Sequence, residues 1–204
     1  MEFISKASED EMIKLFLETE LSSDRYKEKL RAIIEDIENE TNKTFTLDCD
    51  DKEACYLRRL VLSRYRGYGN NEELFEGFPT IDDWNWVMLT KEDLKRIKYI
   101  NYDYWIELSN GSRYAADAAQ SIQNNIEIYG VSNAGFIKAA DAVKRQVKFP
   151  PLILVSTYED AMNMILVEGH LRLTAYMLAF EYVESVNVMI GYADLESFKN
   201  WGLY

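Results

Sequence analysis

The chain is short of the residues that build metal centres and covalent nucleophile sites. Its 204 residues include two cysteines, Cys49 and Cys55, and one histidine, His170. A structural zinc site takes four Cys or His ligands at short paired spacings, so this chain cannot assemble one. Both cysteines stand beside Asp48, Asp50, Asp51 and Glu53, whose charge disfavours a thiolate, and they read as structural or incidental. Basic charge is scarce as well. Lys and Arg number 23 against 35 Asp and Glu, a net charge of −12. That is the wrong sign for non-specific nucleic-acid binding, which works by displacing counterions, and for adsorption to anionic membranes. No apolar run approaches the roughly 18–20 residues of a membrane span. The opening MEFISKASEDEM lacks the apolar core of a signal peptide. A cytoplasmic protein without membrane contact is expected.

What the chain does have is aromatic bulk and ordinary apolar content: 14 Tyr, 9 Phe and 4 Trp, with 48% apolar and 28% charged residues. These values fit a folded globular protein, and most of the rings are expected in a core. Charge is uneven along the chain. Residues 1–50 carry 7 basic and 14 acidic side chains, while residues 151–204 carry 2 and 7. An anion pocket must therefore draw positive charge from residues 51–150, which hold 14 of the 23 basic groups.

Periodicity suggests helices first. Ser8 followed by Glu11 is a capping-box pattern, with Met12, Leu15 and Phe16 on one face. A second helix is expected from Ser23-Asp24 onward, with Tyr26, Leu30, Ile33, Ile34 and Ile37 as its stripe. A third covers about residues 52–66 and stops at Gly67-Tyr68-Gly69. Further on, DDWNWVMLT is a strand candidate and Thr90 a helix cap. Residues 99–108 are helix-compatible, and helices are expected over about 113–123 and 134–147. After Pro150-Pro151, the apolar runs 152–157 and 164–167 suggest a hairpin turning at Tyr158-Glu159-Asp160. A helix over about 170–182, a strand over 185–190 and a last turn capped by Asp194 complete the reading. The expected architecture is an α+β domain over residues 76–204, preceded by a helical N-terminal extension over residues 1–75.

The stretch that carries chemistry is MILVEGHLRLTAYMLA, residues 164–179. An apolar strand runs into an acid-Gly turn and then into a helix. Gly169 lets the backbone approach a ligand, and the helix start offers free N–H groups with the positive end of its dipole. His170 and Arg172 add donors to an oxyanion, and Thr174 adds a hydroxyl. A single histidine also titrates near neutrality, which makes His170 a candidate acid or base. The same residues admit a structural reading: a plain turn, Arg172 paired with Glu168 or Glu159, and His170 as a helix-cap donor. Two weaker features accompany the box. The Ser109–Arg113 turn feeds a helix and brings Arg113 as extra positive charge, or serves as a helix cap. Arg58, Arg59, Arg64 and Arg66 reach a phosphate if the N-terminal arm folds back, or else line a solvated helix face. The pair Asp82-Asp83 reads weakly as a cation site, because adjacent carboxylates point apart on a strand.

Residues 167–175, Val-Glu-Gly-His-Leu-Arg-Leu-Thr-Ala, resemble the acid-Gly-x-x-Arg-x-x-Ala box of the ParB/sulfiredoxin-like superfamily. That group includes partition-protein CTPases, sulfiredoxins, free-serine kinases and ParB-like nucleases. The likeness covers about 150–190, and more loosely 80–190; residues 1–75 carry none of it. It implies a small mixed sheet with flanking helices, a hairpin before the box, and nucleotide phosphates held by Gly169 and Arg172. His170 and Leu171 replace the acidic and second basic residues of partition proteins. His170 also stands where sulfiredoxins carry their reactive cysteine, which argues against sulfinic-acid chemistry. The acid-Gly-His-x-Arg form is closer to the kinase-type relatives, where an acid acts as base, and this casts Glu168 as base or metal-side ligand. The expected function is binding of a nucleotide or phosphate ligand, with a nucleoside triphosphate and Mg²⁺ as the implied cofactor and phosphoryl transfer or nucleotide hydrolysis as the chemistry. The alternative is a non-catalytic interaction module whose N-terminal helices dock a protein. The −12 charge and the lack of a carboxylate–His cluster count against a nuclease.

Overall fold

The computed structural model describes residues 1–48, 51–158, 160–161 and 163–204. Cys49, Asp50 and Glu159, all named in the sequence reading, lie outside the described residues. The chain is mixed α/β. Its sheet has the strand order β1-β2-β6-β4-β5-β3, formed by β1 (Glu2–Ala7), β2 (Asp83–Thr90), β3 (Ile97–Tyr99), β4 (Leu152–Thr157), β5 (Met164–Glu168) and β6 (Ser185–Ala193). The pairs β1/β2, β2/β6 and β4/β5 are antiparallel, whereas β4/β6 and β3/β5 are parallel.

Alternation along the strands sends apolar side chains to both faces, and each face is covered by helices. Ile153, Val155, Ile165, Val167 and Met189 point to one side. There they meet Met12 and Phe16 of α1 (Glu9–Leu21), Leu30 and Ile37 of α2 (Lys27–Thr41), and Leu57, Val61 and Tyr65 of α3 (Lys52–Arg66). Leu152, Leu154, Met164, Leu166, Val188 and Ile190 point to the other side. Short α4 (Lys91–Leu94) and α5 (Asp103–Leu108) flank β3, and that second face is covered by α6 (Ala115–Gln123), α7 (Ala134–Lys144) and α8 (His170–Leu178). Ala118 and Ala119 of α6 and Ala139 and Ala140 of α7 lie buried in this layer. A last turn, α9 (Leu195–Phe198), is capped by Asp194, whose carboxylate accepts from Ser197 N at 2.9 Å.

Several expected elements are present. The capping box at Ser8 and Glu11 forms, α3 ends in left-handed Gly67, and β4 with β5 makes the hairpin before the box. Others differ. The N-terminal segment is not wholly helical, because residues 2–7 form edge strand β1. Its side chains are mostly exposed and a register shift falls between Phe3 and Ser5, so it shows no clean alternation to read. Strand β3 occupies residues assigned to helix or left open, since Ile97–Tyr99 is only three residues long and borrows its order from β5. Helix α2 starts at Lys27, and the helix from His170 ends at Leu178 before a 3₁₀ turn, Phe180–Tyr182.

Residues 1–75 and 76–204 share one sheet and one of its two cores. A fragment of residues 76–204 is therefore expected not to fold cooperatively, because Ile153, Val155, Ile165, Val167 and Met189 lose their cover. Far-UV circular dichroism with a dye that binds exposed apolar surface tests this; a sharp thermal transition without dye binding would show the second segment to be self-sufficient.

Candidate functional site

The box begins where β5 leaves the sheet. Gly169 has φ +111°, and a Cβ there would lie 2.5 Å from Leu152 Cδ2 and 3.0 Å from Arg172 Nη2. Glycine is thus required so that the Arg172 guanidinium can cross the turn. Arg172 is 5% exposed. Its Nη1 donates to the carbonyls of Pro150 (2.8 Å) and Pro151 (2.9 Å), and its Nη2 donates to Glu168 Oε1 (3.0 Å). The arginine expected to face a phosphate instead satisfies carbonyls at the entry to β4, which have to find donors when buried. Of the two structural partners considered for it, Glu168 is bonded to it, and Glu159 lies outside the described residues.

Burial pushes the Glu168 carboxyl above its ordinary value, and this outweighs the attraction of Arg172. His170 opens α8 and lies nearly parallel to Trp105 (centroids 4.8 Å apart, 20°) and to Tyr99 (5.7 Å, 16°). Its Nε2 is buried without a partner. Burial, then the charges of Arg172 and Arg66, push the imidazole down to about 3. The ring is neutral at pH 7, so His170 can offer an anion a hydrogen bond but no charge, and it is not the imidazolium that serves as a general acid. Thr174 is fully buried and donates to His170 O at 2.7 Å. Its single proton is thereby engaged, so Tyr99 Oη, 2.6 Å away, is the donor to Thr174 Oγ1. The expected phosphate hydroxyl is part of a helix back-bond and a buried pair. Arg113 does not join the box either. Its Nε and Nη2 bind Tyr99 O at 2.9 and 2.6 Å, and its Nη1 binds Tyr204 O at 2.7 Å, tying β3 to the C-terminal turn.

Two groups of the N-terminal layer bear on this place electrostatically. The charge of Arg66, the last residue of α3, acts on both Glu168 and His170, and that of Glu20 of α1 acts on Glu168. Glu20 is buried; it accepts from Tyr65 Oη at 2.7 Å and from Arg66 Nη2 at 3.3 Å. The arginine run of α3 signalled this arrangement in part. Arg59 pairs with Glu9 and Arg64 with Glu40, both at the surface, while Arg58 is buried and donates to Thr46 O. Glu20 gave no signal, being one acid among many in α1, and neither did Trp105, one ring among many.

Among the described residues no group of three or more His, Cys, Asp or Glu side chains could hold a metal ion. Glu168 and Glu20 do not fit a protein-held Mg²⁺, since Glu168 is bonded to Arg172 and Glu20 to Tyr65 and Arg66. Asp83, of the acidic pair before Trp84, pairs with Lys6 at 2.6 Å. Compared with family models, with curated proteins and with solved structures, the chain has no match in any of the three.

Two predictions arise from this geometry. Arg172→Ala leaves Glu168 and two carbonyls without their donor, and removal of one partner from a buried pair costs about 3–5 kcal/mol; chemical denaturation of the variant should show a loss of that size, and a loss below about 1 kcal/mol would contradict the buried role. The second concerns pH. His170 binds a proton more weakly when folded, at about 3, than when unfolded, at about 6.5. Its contribution to stability is therefore complete above pH 6.5 and is lost progressively as pH falls towards 3, by roughly 2 kcal/mol between pH 7 and 5. The raised Glu168 works in the opposite sense, since a group that binds protons more tightly when folded favours the fold as pH falls. Comparing wild type with His170→Phe isolates the histidine: the variant should lose less stability between pH 7 and 5, and equal losses would refute the assignment.

Proposed function

We propose that this protein binds a nucleotide or another small phosphate-bearing ligand at the start of α8, in a fold of the ParB/sulfiredoxin-like kind. The observation that carries this reading is His170 Nε2, a buried ring nitrogen without a partner at the first turn of a nine-residue helix. Buried polar groups are rarely left without a partner, and a ligand oxygen or ring nitrogen would satisfy this one. The helix start contributes backbone N–H groups and its dipole, and Arg66 contributes charge. The sequence of hairpin, glycine turn, helix and returning strand in β4, β5, α8 and β6 supports the family reading. Binding is better supported than catalysis, because His170 is uncharged and Glu168 Oε1 is held by Arg172. A nucleotide's Mg²⁺ would accordingly be held by its phosphates and water.

A second reading, a non-catalytic interaction module, is favoured by one observation. Arg172, Thr174 and Arg113 all make internal hydrogen bonds, as they would if the box served packing alone.

A thermal-shift panel of ATP, CTP, GTP, ADP and inorganic phosphate, each with and without Mg²⁺, separates the two. At 100-fold saturation a ligand stabilises by about 2.7 kcal/mol. A shift for one or more of these ligands, lost in His170→Ala, is the expected result. No shift with any of them in a folded protein would overturn the binding reading and favour the interaction module.

A further inference from the structure

We propose that the uncharged, hydrogen-bonding part of the ligand is held by the Tyr104 hydroxyl and the Asn133 side-chain carbonyl, beside the start of α8. This inference rests on the binding reading above. It begins from a place where the first turns of three helices meet. Tyr104 and Trp105 lie in the first turn of α5, and His170 opens α8. The Trp105 indole meets the Tyr104 ring edge to face (centroids 4.9 Å apart, 83°) and lies nearly parallel to His170 at 4.8 Å. Phe136, the third residue of α7, meets the same indole at 6.2 Å and 75°. The starts of α7 and α8 also adjoin directly, since a Cβ on Gly135 would lie 3.9 Å from Leu171 Cδ1. The first turns of α5, α7 and α8 are thus gathered around one ring.

Each of these starts carries one buried polar atom without a hydrogen-bond partner among the described residues: Tyr104 Oη, Asn133 Oδ1 and His170 Nε2. Asn133 immediately precedes α7 and is 6% exposed. Its Nδ2 donates to Ile126 O at 2.8 Å, so the part of the amide left over is the oxygen. That oxygen does not cap α7 either. Buried polar atoms are rarely left unpaired, and packing alone gives no reason for three of them around one indole. A bound ligand accounts for all three, and their chemistry says which part of it they face. The Asn133 oxygen is an acceptor only, so it repels an oxyanion and takes an N–H or O–H. The Tyr104 hydroxyl can give a hydrogen bond or take one. Backbone N–H groups at the start of α8 suit a phosphate. Tyr104 and Asn133 suit the base or sugar that the phosphate is attached to.

The test is isothermal titration of the full chain with ATP, CTP, GTP and inorganic phosphate, for wild type, Tyr104→Phe, Asn133→Ala and His170→Ala, with each melting temperature recorded. Wild type should bind at least one nucleotide more tightly than it binds phosphate. Tyr104→Phe removes an oxygen that bonds to nothing in the fold, so its melting temperature should equal or exceed that of wild type. It should weaken the preferred nucleotide about fivefold, the size of one net hydrogen bond, and leave any phosphate binding within about twofold. A tyrosine serving the fold alone would do the reverse, lowering the melting temperature and sparing the affinity. Asn133→Ala should weaken the same nucleotide by a similar factor, and unchanged affinity there counts against Asn133. Tyr104→Phe binding the nucleotide within about twofold of wild type, while His170→Ala loses it, would overturn this inference and leave the binding reading intact. So would phosphate bound as tightly as every nucleotide, or a Tyr104→Phe protein that fails to fold. Wild type binding none of the four probes would overturn the reading, and the inference with it.

Discussion

A guanidinium sealed between two proline carbonyls and a carboxylate fixes the geometry on which the rest of the site depends. Arg172 ties the entry of β4 to the exit of β5 and to the first turn of α8, three segments that adjoin at one end of the hairpin. Its position explains the glycine, since any Cβ at residue 169 would press on it. It also explains why Glu168 can be buried at all: an isolated carboxylate there would face a large desolvation cost. Such a pair offsets the cost of removing its charges from water rather than adding much net stability. What it supplies is direction, because its contacts are compatible with one path of the chain from β5 into α8.

That constraint shapes the electrostatics around it. With Arg172 buried beside the His170 ring, the imidazole is penalised twice when it takes a proton, once for leaving water and once for approaching like charge. The ring therefore stays neutral and packs as an aromatic, alongside Trp105 and Tyr99, whose own centroids lie 4.6 Å apart. Trp105 packs against the hydrophobic clusters on both faces of the sheet. The candidate site thus sits where the two helical layers meet.

How much of this was legible follows from where the determining forces act. The hairpin, α3, its Gly67 stop, the Ser8 capping box and the Asp194 cap are local patterns, and the sequence displays them directly. Strands β1 and β3 are held by a neighbouring strand rather than by their own alternation, so nothing local announces them. The box was legible as a strand–glycine–helix unit, and the pairing of its arginine with Glu168 was one of the alternatives, but the two proline carbonyls were not legible. Donor-rich residue types look alike in sequence whether their partner is a ligand or a carbonyl 22 residues away, as Pro150 is from Arg172. The internal partners of Thr174 and Arg113 were hidden for the same reason. Conversely, Glu20 and Arg66 lie 46 residues apart, so their meeting is a property of the fold alone.

The charge distribution shows why the N-terminal layer matters beyond covering the sheet. Residues 151–204 carry only two basic groups, Arg172 and Lys199. The first is sealed inside the turn and the second pairs with Glu196 at the surface. The segment that builds the box therefore holds its one nearby cation largely by internal hydrogen bonds. Further positive charge acting on the box comes from another part of the chain, since the charge of Arg66, the last residue of α3, acts on Glu168 and His170. Helices α1–α3 thus cover one face of the sheet and also help to set the charge that the box residues feel.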